Sequence, residues 1–137
     1  MKQGSRFMND KRKKLPEMET LRDIAERNLQ AAENILRNYP NDDGMLNIVG
    51  YHLQQCIELA LKHVLETHAV KYPRTHDIDD LLDLLPEACA DDFTSVAQYA
   101  RIISQLESRT RYIKGYRVKL ETIKDVLVVA QLTMRRL

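Results

Sequence analysis

The residues best equipped for chemistry lie between Arg101 and Lys124. Seven cations, Arg101, Arg109, Arg111, Lys114, Arg117, Lys119 and Lys124, stand against the two carboxylates Glu107 and Glu121, with Tyr112 and Tyr116 interleaved. Arginine beside tyrosine offers phosphate pairing together with base stacking, the combination that nucleotides and single-stranded nucleic acids favour. The same cations at the end of a helix would also complement its dipole, so a structural role stands beside the binding one. A second candidate is the polar stripe Tyr51, Gln55, Glu58 and Lys62, spaced at steps of four, three and four. That spacing places all four on one helix face, either as a solvated surface with a Glu58–Lys62 pair or as one wall of a polar groove.

Other chemistries find little support. His52, Cys56 and His63 share one side of the same helix, but Cys56 falls within an apolar stripe and no fourth ligand accompanies them, so no metal is expected. There is no glycine-rich phosphate loop, no Gly-x-Ser-x-Gly elbow and no His-Glu-x-x-His pair. Cys56 and Cys89 lie far apart and form no Cys-x-x-Cys motif, which points to a reducing compartment rather than a disulfide framework.

Helices must position these residues. Apolar residues make up 44% and charged residues 30% of the 137 positions, while four glycines and four prolines supply few of the turns that an all-β chain needs. From Pro16 onward Met18, Leu21, Ala25, Asn28, Ala32, Ile35 and Tyr39 recur at helical spacing until Pro40. After the turn Asn41-Asp42-Asp43-Gly44, a longer helix carries Leu46, Val49, Leu53, Cys56, Ala60 and Val64, widened by Ile57, Leu61 and Leu65. So broad an apolar face predicts a helix packed on more than one side.

Thr75 or Asp77 is then suited to cap a short helix through Leu81, Leu82 and Leu85, and Asp91-Asp92 to cap a fourth long pattern through Phe93, Val96, Ala100, Ile103 and Leu106. Gly115 marks its end, and Leu120, Ile123, Leu127, Ala130, Met134 and Leu137 form the last stripe. The expected fold is all-α, an up-and-down bundle of four long helices plus one short one, over residues 16–137. Residues 1–15, with six cations against Asp10 alone, read as a disordered basic arm; Met8 is an alternative start. No apolar run reaches the roughly 20 residues of a membrane span and no secretion signal is evident, so a cytoplasmic location is expected.

Two stretches carry a family resemblance. Tyr51-His52-Leu53-Gln54-Gln55-Cys56-Ile57-Glu58-Leu59-Ala60-Leu61-Lys62, followed by Tyr72-Pro73-Arg74-Thr75-His76-Asp77-Ile78 and Leu81-Leu82, resembles the HEPN domain family. Members of that family show a Gln-Gln or Gln-Ala step followed by Glu and Lys in the central helix, a Pro-x-Thr-His element before a short helix, and a later Arg-Tyr-Pro-like element. Arg111-Tyr112 matches the last of these, with Ile113 in place of proline. The resemblance runs from about Leu21 to the end and implies an up-and-down bundle, usually a homodimer, found beside minimal nucleotidyltransferases and in toxin–antitoxin and defence systems.

Many members are metal-independent RNases whose signature is Arg, four to six residues, then His, set at the dimer cleft for acid–base cleavage. None of the four histidines here is preceded by arginine at that spacing. The nearest approach is Arg111 with Tyr116, and a phenol with an ordinary pKa near 10 is a poor base at neutral pH. The resemblance therefore implies a nucleotide- or RNA-binding subunit, a homodimer working beside a nucleotidyltransferase, with no catalytic residue, metal or cofactor. The alternatives are an RNase toxin with a degenerate motif and a structural dimerisation domain. The expected binding groove sets Gln55, Glu58 and Lys62 against Arg109, Arg111 and Tyr112, with Tyr116 nearby.

Overall fold

The computed structural model describes residues 19–112 and 114–137, with backbone alone at 109–112. The basic arm expected over residues 1–15 lies outside the described residues, as does Ile113.

Each long helix begins or ends for a local reason. In α1 (Leu21–Asn38) the Thr20 hydroxyl accepts from the Asp23 amide at 3.1 Å, and the Asp23 carboxylate accepts from the Thr20 amide at 3.0 Å. This reciprocal capping box starts α1 at Leu21, while Pro16 and Met18, from which the apolar spacing was read, lie outside the described residues. Tyr39 likewise falls beyond the helix and is half exposed, so the buried stripe is Ala25, Leu29 and Ala32.

In α2 (Asp43–Thr67) the Asp42 carboxylate accepts from the Met45 amide at 3.0 Å. Its far end is a Schellman turn: Val70 N donates to Leu65 O at 2.8 Å and Ala69 N to Glu66 O at 3.1 Å, with Ala69 in the left-handed region at φ 56°. Asp77, not Thr75, caps the short α3 (Ile78–Asp83) by accepting from the amides of Asp79 and Asp80.

A four-residue turn of helix, α4 (Glu87–Ala90), precedes a 3-10 turn (Asp91–Phe93) that runs directly into α5 (Thr94–Tyr112). The expected Asp91-Asp92 cap is therefore absent: neither side chain bonds an amide there, because the 3-10 turn supplies the helix entry by backbone alone. Gly115, at φ 80°, turns the chain before α6 (Leu120–Arg135).

The four long helices form the all-α bundle, and α2 is its centre. It packs against α1, α5, α6 and the short α3, which is why Leu46, Val49, Leu53, Cys56, Ile57, Ala60, Leu61 and Leu65 are all buried. Burial pushes the Cys56 thiol up to about 12, helped by the Glu26 and Glu33 charges. Three helices meet at Gly50, where a Cβ would stand 3.2 Å from Leu106 Cδ2 of α5 and 3.3 Å from Ile123 Cδ1 of α6. No helix among the described residues is long and apolar enough to cross a membrane.

Candidate functional site

Glu58 is engaged by three side chains, Gln54, Lys62 and His76. It lies among the core positions of α2 and is only 2% exposed. An isolated buried carboxylate is costly, so its partners decide whether the site is stable. Lys62, one turn on, places Nζ 2.9 Å from Oε2. Gln54, one turn back and fully buried, donates Nε2–H to Oε1 at 2.8 Å. His76 completes the set, with Nδ1 3.0 Å and 3.3 Å from the two oxygens. A carboxylate only accepts, so Nδ1 carries the proton and His76 Nε2 is the ring's other nitrogen.

The network continues outward. Gln55 donates to Gln54 Oε1 at 2.8 Å, giving a directed chain from Gln55 through Gln54 to Glu58. Lys62 Nζ also lies 5.6 Å from the centre of the Tyr72 ring, and Tyr72 donates its hydroxyl to Glu66 at 2.7 Å. Burial, then that acceptor, raises the Tyr72 phenol to about 12.

The segment supplying His76 is itself fixed at several points. Thr75 Oγ1 accepts from the Asp77 amide and donates to Asp80, Asp77 caps α3, and the Ile78 amide donates to Ser104 Oγ of α5 at 3.0 Å. Glu58 thus joins the connection before α3 to the central helix, with its charge matched by Lys62 and its remaining lone pairs by Gln54 and His76.

Of the site residues expected from sequence, the fold gathers Gln55, Glu58 and Lys62 into this one network. Tyr116 lies elsewhere. Its carbonyl accepts from Asn47 Nδ2 at 2.8 Å, while Asn47 Oδ1 accepts from the Val118 amide at 3.0 Å. Asn47 precedes Glu58 by eleven residues, about 16 Å along the helix.

Helix α5 passes Gly50 at Leu106 and ends at Tyr112, four residues before Tyr116, so it runs toward the start of α2. The backbone of residues 109–112 is therefore nearer the Asn47 end than Glu58. The side chains of Arg109, Arg111 and Tyr112 lie outside the described residues.

The Asn47 end carries an open depression of about 400 Å³. Arg117, Val118, Lys119 and Leu120 line one side, Asp43 and Leu46 the other. Lys119 is the N-cap of α6 and makes no side-chain capping bond, so the first-turn amides of α6 receive no side-chain acceptor from it. Phosphate oxygens are acceptors of the kind that such amides and neighbouring cations favour.

Sequence reasoning left Gln54 and His76 out of the site. Gln54 sits between Leu53 and Cys56 on an apolar face, yet a glutamine one turn before Glu58 was a readable signal. His76 had only its place in the Thr-His-Asp run, which says nothing about a carboxylate 18 positions earlier. Among the described residues no group of three or more His, Cys, Asp or Glu is placed to hold a metal ion.

A family model described as HEPN domain matches residues 18–135. No curated protein and no solved structure matches the chain.

Proposed function

Because the chain belongs to the HEPN domain family, with the match covering nearly all of the helical bundle, we propose that it is a nucleotide- or RNA-binding module. We place the binding surface at the Asn47 end of the bundle. The observation that carries this reading is the 400 Å³ depression walled by Arg117 and Lys119 beside the start of α6. Arg109, Arg111 and Tyr112 belong to it by their place on the last turn of α5, and Tyr116 by its place in the following loop. Cations and an uncapped helix start suit phosphate groups, and tyrosines suit bases.

Gln55 and Lys62 have a different role in this reading, since both are committed to holding Glu58. Asn47 is the positioning residue: its amide ties both Tyr116 and Val118 and so fixes the loop that presents Arg117 and Lys119. The ligand is taken up without cleavage in this reading, since none of the four histidines follows an arginine at the four-to-six-residue spacing of the family's RNases. The setting proposed is that of a homodimer working beside a nucleotidyltransferase in a toxin–antitoxin or defence system. Val128 and Leu132, one turn apart on α6 and 53% and 39% exposed, are apolar side chains that a second copy would cover.

Fluorescence anisotropy with labelled single-stranded RNA and with nucleotides tests the reading. Binding that weakens steeply with salt and drops in Arg117→Ala/Lys119→Ala, at unchanged melting temperature, is expected. Absence of binding to either ligand at low salt refutes it. Light scattering on the eluting peak of a sizing column tests the dimer, and a one-chain mass at micromolar concentration refutes that part alone.

A further inference from the structure

At the end of the bundle away from Asn47, a cysteine and a histidine meet across the α2–α4 junction. Cys89 Sγ lies 3.5 Å from His68 Nε2. His68 is the C-cap of α2, and its Nδ1 sits 2.9 Å from the Val64 carbonyl, with the Thr67 hydroxyl 3.3 Å away. A carbonyl only accepts, so Nδ1 holds a proton and the Nε2 lone pair is directed at the thiol. Cys89 is held on its own side by its backbone N–H, which donates to Pro86 O at 2.8 Å. The arrangement is that of a nucleophile, a base and a group that orients the base.

Two further features set its chemistry. His68 is held in place as the C-cap of a 25-residue helix, so its ring is fixed relative to Cys89. The thiolate is the reactive form of cysteine, and a ring nitrogen 3.5 Å from Sγ is placed to take the thiol proton. The surroundings are acidic: residues 75–100 hold seven Asp and Glu and no Lys or Arg, and Glu87, Asp91 and Asp92 are exposed beside Cys89, with Arg136 at the end of α6 pairing with Asp92 at 3.6 Å. Anionic reactants are repelled from such a surface and cationic ones drawn to it.

We propose that Cys89 and His68 form a modification site that takes up small cationic disulfides as a mixed disulfide. His68 Nε2 accepts the Sγ proton, and the thiolate attacks one sulfur of the disulfide. The new S–S bond forms as the old one breaks, and its electron pair leaves on the second sulfur, which takes the proton back from His68. Thiol and disulfide go in, mixed disulfide and thiol come out, and no other oxidant is required. Cys56 takes no part, being fully buried with its thiol held at about 12.

The full native chain is incubated with cystamine, a dication, and in parallel with glutathione disulfide, an anion, and adducts are followed by mass spectrometry with peptide mapping. One adduct at Cys89 is expected, forming faster with cystamine, with a gap between the two reagents that narrows as salt is raised. Cys89→Ser abolishes it. His68→Gln and His68→Asn both slow it by about fivefold or more, the effect of losing the group that takes the thiol proton, while circular dichroism melts confirm that each variant is folded. The proposal is overturned if the folded chain gives no adduct, if Cys56 reacts first, if the anionic reagent reacts as fast at low salt, or if folded His68 variants keep the wild-type rate.

Discussion

Replacing Lys62 with methionine isolates the charge at the centre of the Glu58 network. Methionine keeps most of the aliphatic stem beside Tyr72 and removes the ammonium 2.9 Å from Glu58 Oε2. Removing one partner of a buried ion pair costs about 3–5 kcal/mol because the other charge is left uncompensated. The lower end applies here. The Lys62 side chain is 14% exposed, so water partly screens the pair, and Gln54 and His76 go on donating to the carboxylate at 2.8 Å and 3.0 Å. The expected loss is about 3 kcal/mol, or roughly 12 °C in melting temperature at about 4 °C per kcal/mol for a domain of this size.

The double variant Lys62→Met/Glu58→Gln removes the orphaned charge and regains stability relative to the sum of the single changes, with a coupling of about 1.5–3 kcal/mol. Urea denaturation of the four proteins, followed by helical circular dichroism, measures the cycle. A loss below about 1 kcal/mol for Lys62→Met, or single effects that simply add, would refute the argument that Lys62 neutralises Glu58 inside the fold.

Four further outcomes follow from individual contacts. Ala69→Gly relieves a left-handed residue at the end of α2 and raises stability by up to about 1 kcal/mol in a thermal melt, the strain released exceeding the backbone freedom gained by the unfolded chain. Gly50→Val forces a branched side chain between Leu106 and Ile123 and costs about 1–3 kcal/mol, whereas Gly50→Ala stays within about 1 kcal/mol because helix propensity offsets a contact that two side-chain ends yield to; denaturant midpoints separate the two. Burial lowers the folded pKa of His52 below the ordinary 6.5, so the unfolded state binds the proton first. Its contribution is present above about pH 6.5 and is lost as the pH falls through the folded value, so stability between pH 6.5 and 5 falls more steeply in the wild type than in His52→Gln. Asn47→Ala leaves the Val118 amide without its partner and Tyr116 O with Arg117 alone, costs about 1–3 kcal/mol, and weakens RNA or nucleotide binding by loosening the loop that carries Arg117 and Lys119; paired melts and anisotropy titrations check both effects.

The bundle was legible because its signals are local or periodic. The α2 stripe from Leu46 to Leu65 repeats at helical spacing and is buried at nearly every position named from it, and its width correctly implied neighbours on several sides. The inner face of α5 was equally clear, with Phe93, Val96, Ala100, Ile103 and Leu106 all buried. Boundaries were less legible where a backbone device replaced a side-chain signal. The 3-10 turn at Asp91–Phe93 needs no cap, so two aspartates that look like N-caps are not used as such, and Asp92 pairs instead with Arg136 at 3.6 Å.

The candidate site was harder for a geometric reason. Helical spacing tells which residues share a face, but not how far along a neighbouring helix another group sits. Gln55, Glu58 and Lys62 came together because steps of three and four fix their neighbourhood on one helix. Tyr116 stands at the level of Asn47 because an asparagine on the first turns of α2 holds the loop at two backbone atoms, a pairing 69 and 71 positions apart that no local pattern announces. His76 reaches Glu58 only because Asp77 starts α3 and Ser104 anchors its first amide. The Gln-x-x-x-Glu-x-x-x-Lys run and the Thr-His-Asp run thus occur in one chain for a shared physical reason. The first supplies a buried charge with two of its partners, and the second supplies the last donor together with the cap that holds it in place.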